Sequence, residues 1–231
     1  MPTTSVAKKV WNGITGLGLA LFVVFHLAGN LTLFFGAKEF NGYADFITHL
    51  MHGTFIYLAE AGLILFFLVH VATALSVRLG GRDARPQPYA TNADAGGASR
   101  KSFSSKTMLV SGVLLFAYLV YHVKHFKFGP GLDEGYVTML HGEEVRDMYR
   151  LVVEEFNKPL ITFGYVAFMI FLGLHLRHGI WSAFQSVGAT SRKLVPLLYI
   201  GGGLLAALLA AGFIALPLYI YFFIDVPVPP Q

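Results

Sequence analysis

The sequence predicts an all-α membrane protein with five transmembrane helices, on the basis of its composition, its apolar segments and its charge distribution. Of 231 residues, 55% are hydrophobic and 13% are charged, and the mean hydropathy is +0.60. These values are not typical of a soluble domain. About 20 apolar residues in a helix cross the hydrocarbon core of a bilayer. Five stretches meet this requirement: residues 12–35, 54–77, 107–126, 159–181 and 195–223. We therefore expect one transmembrane domain over residues 1–231.

The basic residues predict how this domain is oriented. Most of them fall on one side of a five-helix arrangement, and most acidic residues fall on the other. The basic side carries Lys8, Lys9, Arg78, Arg82, Arg85, Arg100, Lys101, Lys106, Arg177, Arg192 and Lys193. Cytoplasmic loops are enriched in Lys and Arg, so we expect the N-terminus inside and the C-terminus outside. The first apolar run is long enough to span and no small-residue cleavage site follows it, so we expect no removed signal peptide.

Two segments between the spans have distinctive patterns. Residues 80–105 are rich in Gly, Pro and basic side chains, which predicts an irregular inside loop suited to docking a partner. Residues 142–156 place apolar side chains at helical spacing among Glu and Arg. This predicts an amphipathic helix on the outer membrane surface. No feature predicts a nucleic-acid partner.

An internal repeat relates the first span to the third. Residues 15–26, TGLGLALFVVFH, align without gaps with residues 111–122, SGVLLFAYLVYH. A weaker likeness joins FFLVH at residues 66–70 to FLGLH at residues 171–175. Spans one and two then correspond to spans three and four, as in a duplicated membrane protein.

Four histidines lie inside the predicted spans at two depths. His26 and His122 fall in the outer halves of spans one and three, and His70 and His175 fall in the inner halves of spans two and four. A buried imidazole costs free energy unless it is paired or binds a metal. The chain contains no Cys, so a redox centre would be held by His or Met. We predict two bis-His b haems in a four-helix bundle completed by a fifth helix, with one axial ligand from each of the first four helices.

Two further histidines are rival ligands. His125 and His178 lie three residues beyond His122 and His175, on the same helix faces. The repeat aligns His26 with His122, which favours the first of each pair. An alternative for all these histidines is hydrogen bonding between helices in a His-lined membrane transporter.

Other residues near the two levels are candidates for the surroundings of the haems. Four polar side chains near the interfaces are suited to bond haem propionates or to reach solvent: Lys124, His125, Arg177 and His178. Gly16 and Gly112 each lie ten residues before a ligand, at the level of the other haem, where they leave room for a porphyrin or allow close helix packing.

A carboxylate within a span is a candidate for proton transfer to a quinone. Glu60 is the one acidic residue well inside a predicted span, near its outer end. The alternative is a protonated Glu60 bonded to a neighbouring helix. Asp45, His49 and His52, in the loop expected after span one, are weaker candidates for the same role or ordinary polar loop residues.

Two motifs carry a resemblance to a known family. FHLAGNL at residues 25–31 and LHLRHGIWSAFQ at residues 174–185 resemble the first-helix and fourth-helix motifs of the single-chain, five-helix, diheme cytochrome b subunits of succinate dehydrogenases and fumarate reductases. The resemblance covers nearly the whole chain. It implies ligand pairing of the first helix with the third and of the second with the fourth.

The same resemblance implies partners and a location. These are a flavoprotein and an iron–sulfur protein on the cytoplasmic face, menaquinone or another quinone, and the cytoplasmic membrane of a prokaryotic cell. Quinol-oxidising fumarate reductases of the family can carry a glutamate just before the fourth-helix ligand, where this chain has Phe171 to Leu174. This departure favours succinate oxidation. Alternatives are a fumarate reductase anchor and the cytochrome b subunit of a hydrogenase or formate dehydrogenase.

Overall fold

A computed structural model describes residues 4–83, 103–189 and 191–226, and it is mostly helical. Five helical segments are long and apolar enough to cross a membrane. They are Ser5–Phe35, Thr54–Gly80, Met108–Lys127, Pro159–Ser186 and Leu194–Phe223. These segments confirm the five predicted spans, and the chain is a multi-pass membrane protein. Most of the predicted basic loop over residues 80–105 lies outside the described residues.

The elements follow one another along the chain with short connections. The helices are α1 (Ser5–Asn30), α2 (Ala37–His49), α3 (Thr54–Asp83), α4 (Phe103–Lys106), α5 (Met108–His122), α6 (Met148–Phe156), α7 (Pro159–Ser186) and α8 (Leu194–Phe223). A 3-10 helix, Leu31–Phe35, extends α1, and a π-helical turn, Val123–Lys127, extends α5. Strands β1 (Val137–Leu140) and β2 (Glu143–Arg146) form an antiparallel hairpin.

Local sequence explains where several helices begin. The Thr4 hydroxyl accepts a hydrogen bond from the Ala7 amide at 3.2 Å and caps α1. Asp147 caps α6 in the same way through the Arg150 amide. Both side chains satisfy an amide that has no partner within its helix. Pro159 occupies the first turn of α7, where its missing N–H costs nothing.

Helices α1 and α7 form the centre of the bundle. They pack against each other, while α3 packs on α1, α5 packs on α7, and α8 packs on both central helices. Small residues permit the close approach. A Cβ on Gly13 would lie 3.1 Å from the Ala183 carbonyl oxygen, and one on Gly202 would lie 2.9 Å from Ile180. Contacts through glycine are typical of helix packing in membranes.

Helices α3 and α5 are not packed along their lengths in the described part of the chain. The rings of Phe67 and Phe116 stack between them with centroids 5.7 Å apart. Glu60 and Lys127 form an ion pair at one end. The first, third, fifth and seventh helices therefore enclose an interior that is closed on the α3–α5 side by few contacts.

The end of the bundle carrying α2, the hairpin and α6 is called the capped end below, and the opposite end, where α1 begins, is called the N-terminal end. The predicted amphipathic helix over residues 142–156 is wrong in its first half, because residues 143–146 are strand β2. His141 and Gly142 both have positive φ, 53° and 87°, and form a two-residue hairpin turn that a helix cannot contain. Only Met148–Phe156 is helical.

The prediction of an ordinary loop after the first span is also wrong. Gly36, with φ of 109°, redirects the chain after the 3-10 helix, and α2 begins at the next residue. Phe40 and Asn41 are buried under this helix, and its other side chains are a mixture of apolar and polar. Asn41, which is 2% exposed, donates to Asp147 Oδ1 and accepts from the Tyr149 amide, both at 2.8 Å. These bonds fasten α2 to α6.

Arg146 joins the hairpin to the end of α5. Its guanidinium donates to the carbonyl oxygens of Phe126, Gly129 and Pro130 at 2.8 to 3.0 Å. The carbonyls at a helix C-terminus have no partner within the helix. Arg146 thus satisfies them and holds the capped end together.

We expect Gly129→Ala to destabilise this region. Its Cβ would lie 2.1 Å from the His125 carbonyl oxygen, so the backbone that Arg146 grips must shift. Such overpacking costs about 1–3 kcal/mol of unfolding free energy, measurable by unfolding in mixed micelles. Gly131→Ala is the matched control, because its nearest neighbour would be 3.7 Å away. Equal stability of the two variants would contradict the packing described.

Candidate functional site

His26 of α1 and His122 of α5 meet across the interior of the bundle. Their ring centroids are 5.8 Å apart and their planes lie at 87°. This brings together the two histidines that the sequence assigns to one level. Imidazole nitrogens bind a metal at about 2.0 Å, so two rings that share one ion have centroids roughly 6 Å apart. The observed separation fits one ion between two imidazoles.

Aromatic side chains surround this pair. Phe22 stacks on His26 at 5.3 Å and Phe213 of α8 lies at 5.8 Å. On the other side, Tyr118 stacks on His122 at 5.6 Å. These aromatic neighbours leave the imidazoles of His26 and His122 with few polar partners.

Within the described part of the chain, the ring nitrogens of His26 and His122 make few hydrogen bonds. Nδ1 of His122 is buried with no hydrogen-bond partner. Nε2 of His26 lies 3.5 Å from the Asn30 amide nitrogen, which is longer than an ordinary hydrogen bond. That amide instead donates to the His26 carbonyl oxygen at 2.8 Å. An unsatisfied buried nitrogen is uncommon and indicates a missing partner.

The other two histidines each face a glycine of the neighbouring helix. A Cβ on Gly16 of α1 would lie 3.3 Å from Cε1 of His70 on α3. A Cβ on Gly112 of α5 would lie 3.5 Å from Cε1 of His175 on α7. Gly16 aligns with Gly112 in the sequence repeat, so the two contacts occupy equivalent positions. They confirm that Gly16 and Gly112 lie at the level of the second histidine pair.

His70 and His175 differ in their hydrogen bonding. Nδ1 of His175 lies 3.1 Å from the Ser111 hydroxyl, which fixes the ring and leaves Nε2 free to bind a metal. Nδ1 of His70 is buried without a partner among the described residues. The pairing of His70 with His175 stays a prediction.

The rival ligand His125 is engaged elsewhere. Its Nε2 lies 2.9 Å from Glu155 Oε2, and its Nδ1 lies 3.4 Å from the Tyr165 hydroxyl. This favours His122 over His125 as the residue that faces His26.

Three other side chains predicted near the membrane interfaces, Arg177, His178 and Lys124, have surroundings that differ from those of His125. Arg177 is exposed, with its guanidinium 3.5 Å from the Tyr199 hydroxyl and 3.4 Å from the Ser104 hydroxyl. His178 is half-buried and Lys124 is exposed. No described contact ties these three residues to a histidine pair through a hydrogen bond, so their role near a cofactor stays a prediction.

The candidates for proton transfer lie among contacts of the capped end. Glu60 forms an ion pair with Lys127, so it is bonded to a neighbouring element as the alternative expects, but as a charged partner of a lysine and not as a protonated carboxyl group. Asp45 and His49 are paired with each other at 2.9 Å on α2, and His52 is exposed in the following turn. The described contacts of these four residues do not join them to either histidine pair.

Sequence reasoning missed several residues that contact the histidines. Ser111 stands immediately before Gly112 and aligns with Thr15 in the repeat, which is a signal that can be read from the sequence. Tyr165 and Glu155 carry no such signal. Glu155 lies on α6, whose orientation over the bundle depends on the hairpin.

Two adjacent carboxylates of α6 have different environments. Burial raises the pKa of the Glu154 carboxyl, but the hydrogen bonds from Tyr136 and Arg150 outweigh it and hold the pKa below its usual value. The distances are 2.5 Å to Tyr136 and 2.7 Å to Arg150. Glu154 therefore stays ionised as part of the cap. Glu155 faces His125 instead.

Comparisons with protein-family models, curated proteins and solved structures give no match for this chain. The interpretation of the site therefore depends on its own geometry. What that geometry defines is a multi-pass membrane protein with buried histidines at two levels of one bundle, one pair of them facing each other.

Proposed function

We propose that this chain is the haem-binding membrane anchor of a succinate:quinone oxidoreductase. His26 and His122 hold one haem b near the capped end, and His70 and His175 hold the second nearer the N-terminal end. The observation that supports this best is the approach of the His26 and His122 rings to 5.8 Å in an otherwise aromatic interior.

The donor set favours a haem over a bare metal ion. Within the described residues there is no group of three or more His, Asp or Glu side chains that could hold an ion by themselves. If a metal binds between His26 and His122, these residues would supply two imidazole nitrogens, and a macrocycle such as haem would supply the other ligands. The buried Nδ1 atom of His122, which no described residue satisfies, fits this group.

The residues of the chain have distinct tasks in this proposal. Haem b, when bound, supplies one-electron redox chemistry. The four histidines would hold the two haems through their imidazole nitrogens. Ser111 orients His175, and the rings of Phe22, Phe213 and Tyr118 exclude water from the capped-end pair. A dry surrounding is one of the means by which a protein sets a redox potential.

The direction of transfer follows from the resemblance and from the charge distribution. A flavoprotein and an iron–sulfur protein bind at the N-terminal, cytoplasmic end and supply electrons from succinate. A quinone, menaquinone by the resemblance, is reduced near the capped, outer end. A full outward crossing of one electron gains about 2.3 kcal/mol per 100 mV of membrane potential. The potential thus assists the reduction of a low-potential quinone.

The first test is spectroscopic. The purified chain, made in cells supplied with haem, is expected to show reduced b-type haem bands and two haems for each chain. When it is isolated with its soluble partners, succinate should reduce those haems. A colourless protein would reject the haem proposal, and haem that succinate cannot reduce would reject only the succinate assignment.

His70→Ala is expected to remove one haem and spare the other. The ligand lost belongs to the second level, and the His26 and His122 rings do not depend on it. Pyridine haemochrome analysis gives the ratio of haem to protein, which should fall by half. His52→Ala, on an exposed residue, is the control. An unchanged ratio in His70→Ala would contradict the ligand assignment.

Ser111→Ala is expected to weaken haem binding at the same level. It removes the only described partner of His175 Nδ1, and loss of such an outer-shell bond typically costs about 10–100-fold in metal affinity. Haem loss to apomyoglobin measures the effect. Ser186→Ala on α7 is the control, because among the described residues its hydroxyl bonds to the Ser182 carbonyl oxygen and to no histidine. Equal rates of loss in the two variants would exclude an orienting role.

The orientation can be tested by labelling, since the chain has no Cys. A membrane-impermeant maleimide applied to intact spheroplasts should label Asp133→Cys, in the exposed connection before the hairpin, but not Lys9→Cys. Both should react after lysis. The reverse pattern would place the N-terminus outside.

A further inference from the structure

A row of polar groups connects the surface of the capped end with the interior. Lys158 Nζ lies 2.7 Å from Glu155 Oε1, Glu155 Oε2 lies 2.9 Å from His125 Nε2, and His125 Nδ1 lies 3.4 Å from the Tyr165 hydroxyl. The side chain of Lys158 is 58% exposed, whereas those of Glu155 and His125 are 16% and 15% exposed. The row therefore begins in solvent and ends among buried rings.

This row ends beside the capped-end histidine pair. Tyr165 packs on His122 with centroids 6.1 Å apart, and His125 lies one helical turn beyond His122. The titratable groups that face or flank His125 come from α5 and its π-helical turn, from α6 and from α7. They are Tyr118, Tyr121, His122, Lys124, Glu155, Lys158 and Tyr165.

From this geometry we infer that Glu155 and His125 form the proton-exchange site that serves a quinone reduced at the capped end. The inference deepens the proposed function and rests on it. Reduction of a quinone to a quinol takes two electrons, which come from succinate oxidised to fumarate, and two protons, which become the hydrogens of the two hydroxyl groups. Glu155 and His125 supply those protons from the outer water.

The chemistry of the two groups suits this task. A carboxylate at the surface takes a proton from water, and an imidazole accepts a proton on one nitrogen while it releases one from the other. Glu155 takes the outer position and His125 takes the inner one. Lys158 holds Glu155 at the solvent boundary, and Tyr165 positions the His125 ring. The last transfer, to an oxygen of the reduced quinone, goes from His125 Nδ1 through the Tyr165 hydroxyl, which lies 3.4 Å from it.

Glu154, the neighbouring carboxylate on the same helix, has a purely structural role. Glu154 bonds to Arg150, a permanent cation, and to Tyr136 within the cap. Glu155 instead pairs its inner oxygen with an imidazole, which can both accept and donate a proton. The two adjacent residues thus form a matched pair for an experiment.

The test compares Glu155→Gln with Glu154→Gln in the assembled complex in membranes. Glutamine keeps the size of the side chain but cannot carry a proton. We expect Glu155→Gln to lower succinate-driven quinone reduction by about 10²-fold, the low end for a lost proton-transfer group, and to raise the solvent deuterium isotope effect. Succinate-dependent haem reduction without added quinone should stay normal. Glu154→Gln should retain wild-type turnover and isotope effect.

A second measurement does not depend on turnover. Reduced-minus-oxidised infrared spectra of the wild-type complex should contain a carboxyl band that shifts in deuterium oxide, is absent in Glu155→Gln and persists in Glu154→Gln. Glu155→Asp should recover part of the turnover and serves if the Gln variant fails to assemble. Normal turnover, isotope effect and infrared band in Glu155→Gln would overturn the inference and leave the proposed function standing. Absence of succinate-reducible haem in the wild type would overturn both.

Discussion

The organisation of this protein depends on the cost of placing an imidazole inside a membrane-spanning bundle. An unpartnered polar ring in apolar surroundings costs free energy, and this chain places four imidazole rings among its apolar helices. The helices accommodate them in a regular way. Glycines stand where a helix passes the rings of the second level, aromatic rings cover the pair formed by His26 and His122, and α3 and α5 stay apart.

Much of this arrangement can be predicted from the sequence because bilayer thickness and helix periodicity constrain it strongly. A run of about 20 apolar residues is readily recognised. The predicted limits of the five spans agree with the observed ones to within three residues, except at the start of the first span and the end of the fourth. Depth along a helix follows from its rise per residue, which is why His26 and His122 were correctly placed together. The repeat located Gly16 and Gly112 for the same reason.

The cap was predicted poorly, and the causes are local. Helix α2 is short, mixes apolar with polar side chains and buries only Phe40 and Asn41, so its amphipathic pattern is less evident than the long apolar spans on either side. The hairpin depends on positive φ at His141 and Gly142, which interrupts a segment with helical spacing. The contact of Glu155 with His125 depends on both features, because they set the position of α6. Side chains that meet through such tertiary packing leave no periodic signal in the chain.

The sparse contact between α3 and α5 has a consequence for assembly. Helices α1, α7 and α8 pack extensively, whereas the described contacts across the seam between α3 and α5 include the stacked rings of Phe67 and Phe116 and the ion pair of Glu60 with Lys127. If the chain binds haem as proposed, this seam is the side on which the cofactor would meet the fewest helix contacts when it enters from the lipid.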